Sequence, residues 1–227
     1  STADPTIPEN TVSEVGTYRC RALHSNHMAG HVWQEYGSET LRARQPDKLK
    51  AALEKILEYR IARATPPVRR PGIPTLGNSG EAHRVSDEIL SPKQFETFVW
   101  PYWKRAIQKT LDLGYEHISM FFEGRRDKQL EYFMDYPKWS LLIRMAETDI
   151  FRAKEIMGDR VCLMGNVPIL LLQMGSTQDV EDYCKKLIKV VGKNGGFILR
   201  CSTDYTQEAK PANVKAMIET VNKYGWY

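Results

Sequence analysis

Apolar residues recur at helical spacing in the stretch that opens at Gln45-Pro46-Asp47-Lys48. Leu49, Leu53, Ile56, Leu57 and Ile61 share one side, with Lys and Glu between them. Thr65-Pro66-Pro67 ends that helix. A second helix is predicted from Ser91-Pro92-Lys93-Gln94, with Ser as N-cap and Pro at the first helical position. Phe95, Phe98, Val99, Tyr102, Ile107 and Leu111 line its apolar side, Pro101 kinks it and Gly114 stops it. Further helical patterns cover residues 128–133, 149–157, 177–191 and 214–223, the last opening at Pro211-Ala212-Asn213. Between them lie short strand-like apolar runs at residues 116–122, 141–145, 161–164 and 197–199. The connection over residues 66–90, rich in Pro and Gly, holds one more short strand near residues 73–76.

Two segments make the rhythm explicit. Arg160-Val161-Cys162-Leu163-Met164-Gly165-Asn166-Val167-Pro168 reads as a short buried strand that stops at a Gly-Asn-Val-Pro turn. About thirty residues later, Gly195-Gly196-Phe197-Ile198-Leu199-Arg200-Cys201 repeats the theme, followed by a polar loop and a helix. Strands that alternate with helices predict an α/β protein, and here a TIM-type (β/α) barrel with chemistry at the C-terminal strand ends. Four βα units and one more fall short of eight strands. The expectation is therefore a single barrel domain over residues 1–227 with a shortened or missing N-terminal portion, residues 1–20 forming an irregular arm.

Composition narrows the function classes. The chain has 227 residues, 42% hydrophobic and 26% charged, which is ample for one core. Its net charge of +4 is too mild and too evenly spread for nucleic-acid binding. No apolar run approaches the roughly 18 residues of a membrane span. The four cysteines, Cys20, Cys162, Cys184 and Cys201, are scattered and show no disulfide framework. Together with an N-terminus lacking a signal pattern, this predicts a cytoplasmic protein. An open barrel would leave sheet edges to cover, which points to a homo-oligomer or a bound partner.

Several segments together resemble the uroporphyrinogen decarboxylase superfamily, and within it the corrinoid-dependent methyltransferase branch. They are Gln45-Pro46-Asp47-Lys48-Leu49, Leu90-Ser91-Pro92-Lys93-Gln94-Phe95-Glu96, Phe121-Phe122-Glu123-Gly124, and Thr148-Asp149-Ile150-Phe151-Arg152-Ala153-Lys154-Glu155. Gly165-Asn166-Val167-Pro168, Gly195-Gly196-Phe197-Ile198-Leu199, and Lys210-Pro211-Ala212-Asn213-Val214-Lys215-Ala216-Met217 complete the set. Their order and spacing match over residues 30–227. The resemblance implies an enzyme that moves a methyl group between a cobamide, carried on a separate corrinoid protein, and a small acceptor such as tetrahydrofolate or a thiol. The decarboxylase itself is matched less well: residues 76–83 depart from its aspartate motif, and its Arg-rich N-terminal loop has no counterpart.

Thiol-specific members of the branch use zinc to lower the thiol pKa. Their His-x-Cys pair falls on Phe121 and Glu123 here, and their later Cys at or near Cys201, too few ligands for zinc. A folate acceptor needs proton transfer at a nitrogen and polar groups to orient the ring. Glu123, Asn166 and Asp204 are candidate catalytic groups of that type at strand ends. Arg144 and Cys201 are candidate substrate-binding residues, Arg144 for a carboxylate such as a folate tail. Each has a plainer alternative: Glu123 pairing with Arg125 or Arg126, Asn166 as turn chemistry, Asp204 as a loop cap, and Arg144 pairing with Glu147 or Asp149 to hold a loop. His24, His27 and His31 share a helical face on paper, but the surrounding Ser25, Asn26 and Gly30 make a poor helix. Two further readings stay open: a decarboxylase-like lyase on another carboxylated substrate, and a non-catalytic truncated-barrel subunit.

Overall fold

The computed structural model describes residues 44–82, 85–204 and 206–225, with residues 78–82 described as backbone. His24, His27 and His31 and the expected arm over residues 1–20 lie outside the described residues. The elements run α1 (Pro46–Arg63), β1 (Leu76–Ala82), α2 (Pro92–Phe98), α3 (Trp100–Asp112), β2 (His117–Phe122) and a 3-10 turn at Leu130–Phe133. They continue with β3 (Leu141–Met145), α4 (Ile150–Met157), β4 (Cys162–Val167), α5 (Ile169–Met174), α6 (Thr177–Val190), β5 (Phe197–Cys201) and α7 (Pro211–Tyr224).

The five strands form one parallel sheet in the order β1-β2-β3-β4-β5. Each crossover therefore steps to the next strand in the same direction. Right-handed crossovers that never reverse put the helices on one face, the arrangement of a (β/α) barrel; a doubly wound sheet reverses at a switch point. Side-chain alternation shows which face is covered. Ile118, Met120 and Phe122 of β2 and Leu141, Ile143 and Met145 of β3 are buried, while the residues between them are only half-buried. The buried set meets Phe95, Ile107, Phe133, Ile150, Met157, Val180 and Leu187 in one helix-side core. Each such side chain contributes about 1.5–3 kcal/mol when removed from water. An aromatic cluster closes one end, with Phe122 and Phe133 ring centres 5.0 Å apart and Phe95 and Tyr132 5.1 Å apart.

Local chemistry explains most boundaries, and some differ from the sequence expectation. Ser91 caps α2 in a reciprocal box with Gln94, as expected. Pro101 does not kink a continuous helix. The helix breaks at Val99, and Pro101 sits in the first turn of α3, where its missing N–H costs nothing. Within residues 128–133 one 3-10 turn forms, Leu130–Phe133; ahead of it the Lys128 N–H donates to Asp87 Oδ2 at 2.9 Å and Gln129 reaches back to the Val85 carbonyl. β4 continues through Gly165 and Asn166 to Val167 instead of stopping at a turn. α1 docks on α3 through the Arg105–Glu54 pair at 2.7 Å and the Tyr102 hydroxyl, which donates to the Lys50 carbonyl.

Candidate active site at the carboxyl ends of the strands

The sheet face opposite the core carries Ser119 and Phe121 of β2, Leu142 and Arg144 of β3, Cys162 and Met164 of β4, and Ile198 and Arg200 of β5. Register aligns Phe121 with Arg144, Arg144 with Met164 and Met164 with Ile198. Most of this inner face is apolar. Its charge gathers at the carboxyl end, where Arg144 and Arg200 both reach Asp204 in the loop after β5.

Arg144 Nη2 donates to Asp204 Oδ1 at 3.0 Å, and Arg200 Nη2 donates to the same oxygen at 3.3 Å. The Arg144 guanidinium stacks over the Phe121 ring, 4.4 Å from its centre. Its Nε is buried and has no hydrogen-bond partner among the described residues. Arg200 Nη1 lies 3.8 Å from Met164 Sδ. Two cations within about 6 Å repel by about 3 kcal/mol at an effective dielectric of about 20. One carboxylate on an open loop, with 88% of its side chain exposed, is a weak counterweight to that repulsion.

Arg144 and Asp204, expected separately, are thus brought into direct contact. Arg144 does not pair with Glu147 or Asp149; Asp149 instead caps α4, accepting from the Phe151 and Arg152 N–H groups. Glu123 stands one residue beyond β2 and is exposed. Arg125 pairs with Asp127 at 2.9 Å, and Arg126 donates to the Glu123 main-chain carbonyl. Arg126 is fully buried, over the Trp103 and Phe122 rings, with Nη1 donating to the Val85 carbonyl and to Gln129 Oε1. Burial pulls its pKa down to about 9.

Asn166 is buried and hydrogen-bonded at both ends of its amide. Its Nδ2 donates to the Thr148 carbonyl at 3.1 Å, and its Oδ1 accepts from the Tyr183 hydroxyl at 3.3 Å. Strict alternation would turn it toward Arg200, its register partner. Gly165 just before it takes φ +140°, and a Cβ there would fall 2.8 Å from the Met145 carbonyl oxygen, so only glycine fits. Asn166 and Tyr183 line a cavity of about 460 Å³ at this end of the sheet, together with Glu147, Asp149 and Ser202.

Cys201 is fully buried among the core residues, with Sγ 2.7 Å from the Thr203 carbonyl, so it does not face the arginines. Zinc does not fit this arrangement, because Cys201 is turned into the core away from Glu123. Among the described residues no three His, Cys, Asp or Glu side chains converge on a common point. Cys162, in the strand expected to be buried, is half-buried on the inner face, and burial raises its thiol to about 11.

Arg200, Tyr183 and Thr148 were not singled out as site residues from sequence. For Arg200 a signal existed: a charge in an otherwise apolar strand, four residues before Asp204 and near the strand end.

Fold and site together define an α/β barrel-type protein whose polar groups converge at the carboxyl ends of its parallel strands. The sequence profile of the uroporphyrinogen decarboxylase (URO-D) family matches residues 39–224. The chain belongs to that family. It is similar to a uroporphyrinogen decarboxylase of Methylococcus capsulatus, 31% identical over 136 residues that make up 60% of this chain and 38% of that protein. A uroporphyrinogen decarboxylase of Chlorobium phaeovibrioides is 32% identical over 78 residues, 33% of this chain and 22% of that protein. The matches therefore span well under half the length of these curated relatives. Among solved structures, a methyltransferase from Methanosarcina mazei superposes with a TM-score of 0.61 at 15% identity, covering 88% of this chain and 54% of that one, a likeness of fold.

Proposed function

We propose that the protein takes part in moving a methyl group between a corrinoid protein and a small, carboxylate-bearing acceptor such as tetrahydrofolate. The observation that carries this reading is the placement of charge. Arg144, Arg200 and Asp204 stand together at the carboxyl strand ends, above an inner strip of Leu142, Cys162, Met164 and Ile198. The arginines would seat the acceptor's carboxylate, and the apolar strip would keep water from the reacting groups. The cobamide of a partner protein supplies a cobalt-borne methyl group. Glu123, exposed just past β2, is the group of this chain best suited to proton transfer at an acceptor nitrogen. The fold likeness to a protein named as a methyltransferase supports the reading.

Mixing the purified protein with a methylated corrinoid protein and tetrahydrofolate, or a simple thiol, and following the cobalt absorbance tests this. The expected result is acceptor-dependent loss of the methyl-cobalt spectrum, weakened in Glu123→Gln. No spectral change with any acceptor sinks the proposal. A second reading, a lyase acting on a carboxylated substrate, is favoured by the curated relatives named as decarboxylases and by the same arginine pair. Release of carbon dioxide without added corrinoid would favour it.

A further inference from the structure

We infer that Arg144 and Arg200 form a two-guanidinium seat for an organic carboxylate, and that Asp204 is a built-in stand-in which the ligand displaces. The inference rests on the reading that substrate binds at this end of the sheet, but not on which reaction follows. Three observations support it. First, both guanidiniums converge on one oxygen, Asp204 Oδ1, at 3.0 and 3.3 Å. A carboxylate already occupies the seat, so the seat accepts that chemistry. Second, the occupation is incomplete. A guanidinium offers five N–H donors and matches a carboxylate edge with two of them. Here each arginine gives Asp204 a single bond, and the buried Nε of Arg144 has no partner among the described residues. Third, the arginines are held and the acid is not. Arg144 is stacked on Phe121 with 14% of its side chain exposed, and Arg200 rests by Met164 with 32% exposed, while Asp204 is 88% exposed on a loop.

A fixed cationic pair with a loosely held acid is not explained by stability. An ion pair to so exposed an acid contributes little, and Arg144 would be easier to bury as an apolar residue. Exchange for a ligand carboxylate is chemically simple. Asp204 swings into solvent, where it is fully hydrated, and the incoming group offers two oxygens to two forks. The built-in occupant is itself a carboxylate, which points to that ligand class rather than to a tetrahedral phosphate. Asp204 then acts as an intramolecular competitor, and apparent affinity falls by the fraction of time it occupies the seat.

Calorimetric titration of the full chain with glutarate, N-acetylglutamate and inorganic phosphate tests this, each variant first checked for native circular dichroism. The expected result is millimolar binding of the carboxylates, tightened several-fold in Asp204→Asn and lost in Arg144→Gln and Arg200→Gln. Arg144→Lys keeps the charge without the fork and should fall between. Unchanged or weaker binding in Asp204→Asn overturns the displacement. Binding that survives Arg144→Gln overturns the seat, and phosphate binding tighter than either carboxylate overturns the ligand class. Should carboxylates bind as described while no methyl transfer occurs, the proposed reaction fails and the seat stands.

Discussion

Asn166 on β4 donates its side-chain amide to the Thr148 carbonyl at 3.1 Å, tying the end of one strand to the loop after its neighbour. That loop also takes the Arg126 N–H on Thr148 Oγ1 at 3.1 Å, so three strand-end segments hang on one pair of residues. Loss of the Asn166 amide leaves a buried carbonyl unsatisfied.

Asn166→Ala should therefore destabilise the fold by about 1–3 kcal/mol, and Tyr183→Phe, which removes one partly buried hydroxyl, by about 1 kcal/mol or less. Urea unfolding with a common slope checks both. A fully stable Asn166→Ala protein that nonetheless loses activity would show that the residue serves chemistry rather than the scaffold.

Arg126 is the largest fully buried side chain among the described residues. Truncation to Leu takes the guanidinium donor from Gln129 Oε1, leaves the Val85 carbonyl to Gln129 Nε2, and removes two aromatic contacts. The expected cost is about 1–3 kcal/mol for the acceptor left without its donor, which lowers the melting temperature by about 2–10 °C. Arg126→Lys should recover only part of it, since an ammonium lacks the planar fork. Thermal melts of the two variants decide the point; a melt for Arg126→Leu equal to the parent contradicts it.

Gly165→Ala should cost about 2–4 kcal/mol, because the methyl group meets a backbone oxygen of β3 that has nowhere to move, at a φ that L-residues rarely adopt. Hydrogen exchange should show the loss at the β3–β4 ladder. Unaltered protection at Met145 and Asn166 would refute the account.

Thiol reactivity should sort by burial. Cys184 and Cys201 are fully buried, with Cys184 pushed up to about 12 by burial, while Cys162 is half-buried and raised to about 11. The thiolate is the reactive form. Cys162 should alkylate slowly at neutral pH, its rate rising about tenfold per pH unit up to the raised pKa. The raised value also means that the folded state holds this proton while an unfolded thiol, at its ordinary value of 9.0, loses it. The group's contribution to stability is thus complete below pH 9 and declines as pH climbs toward 11. Peptide mapping after timed iodoacetamide treatment checks the order. Fast modification of Cys184 in the native protein would contradict it.

Periodicity carried the architecture far. The helix opening at Pro46, the Ser91 cap, the strands at 117–122, 141–145 and 197–201, and the final helix at Pro211 all follow from local rules of spacing, capping and breaking. Those rules act over a few residues, and the sequence states them directly. The family was legible too, through an ordered set of motifs that the URO-D profile match over residues 39–224 confirms. Where local signals competed with tertiary demands they misled. Residues 128–133 look α-helical, but one 3-10 turn at Leu130–Phe133 is what forms, with Gln129 tied back to the distant Val85 carbonyl. Gly165-Asn166 looks like a turn, but the sheet carries on through it.

Site geometry depended on contacts between residues far apart in sequence. Arg144 and Asp204 are sixty positions apart, and nothing between them encodes that they meet. The sequence by itself determined which elements form, where they begin, and that charged groups stand near strand ends. Tertiary structure alone decided which way those groups point. Cys201 and Arg200 are neighbours in the chain, yet one is sealed in the helix-side core and the other reaches the inner face. A strand sends successive side chains to opposite faces, and which face is core depends on where the helices pack.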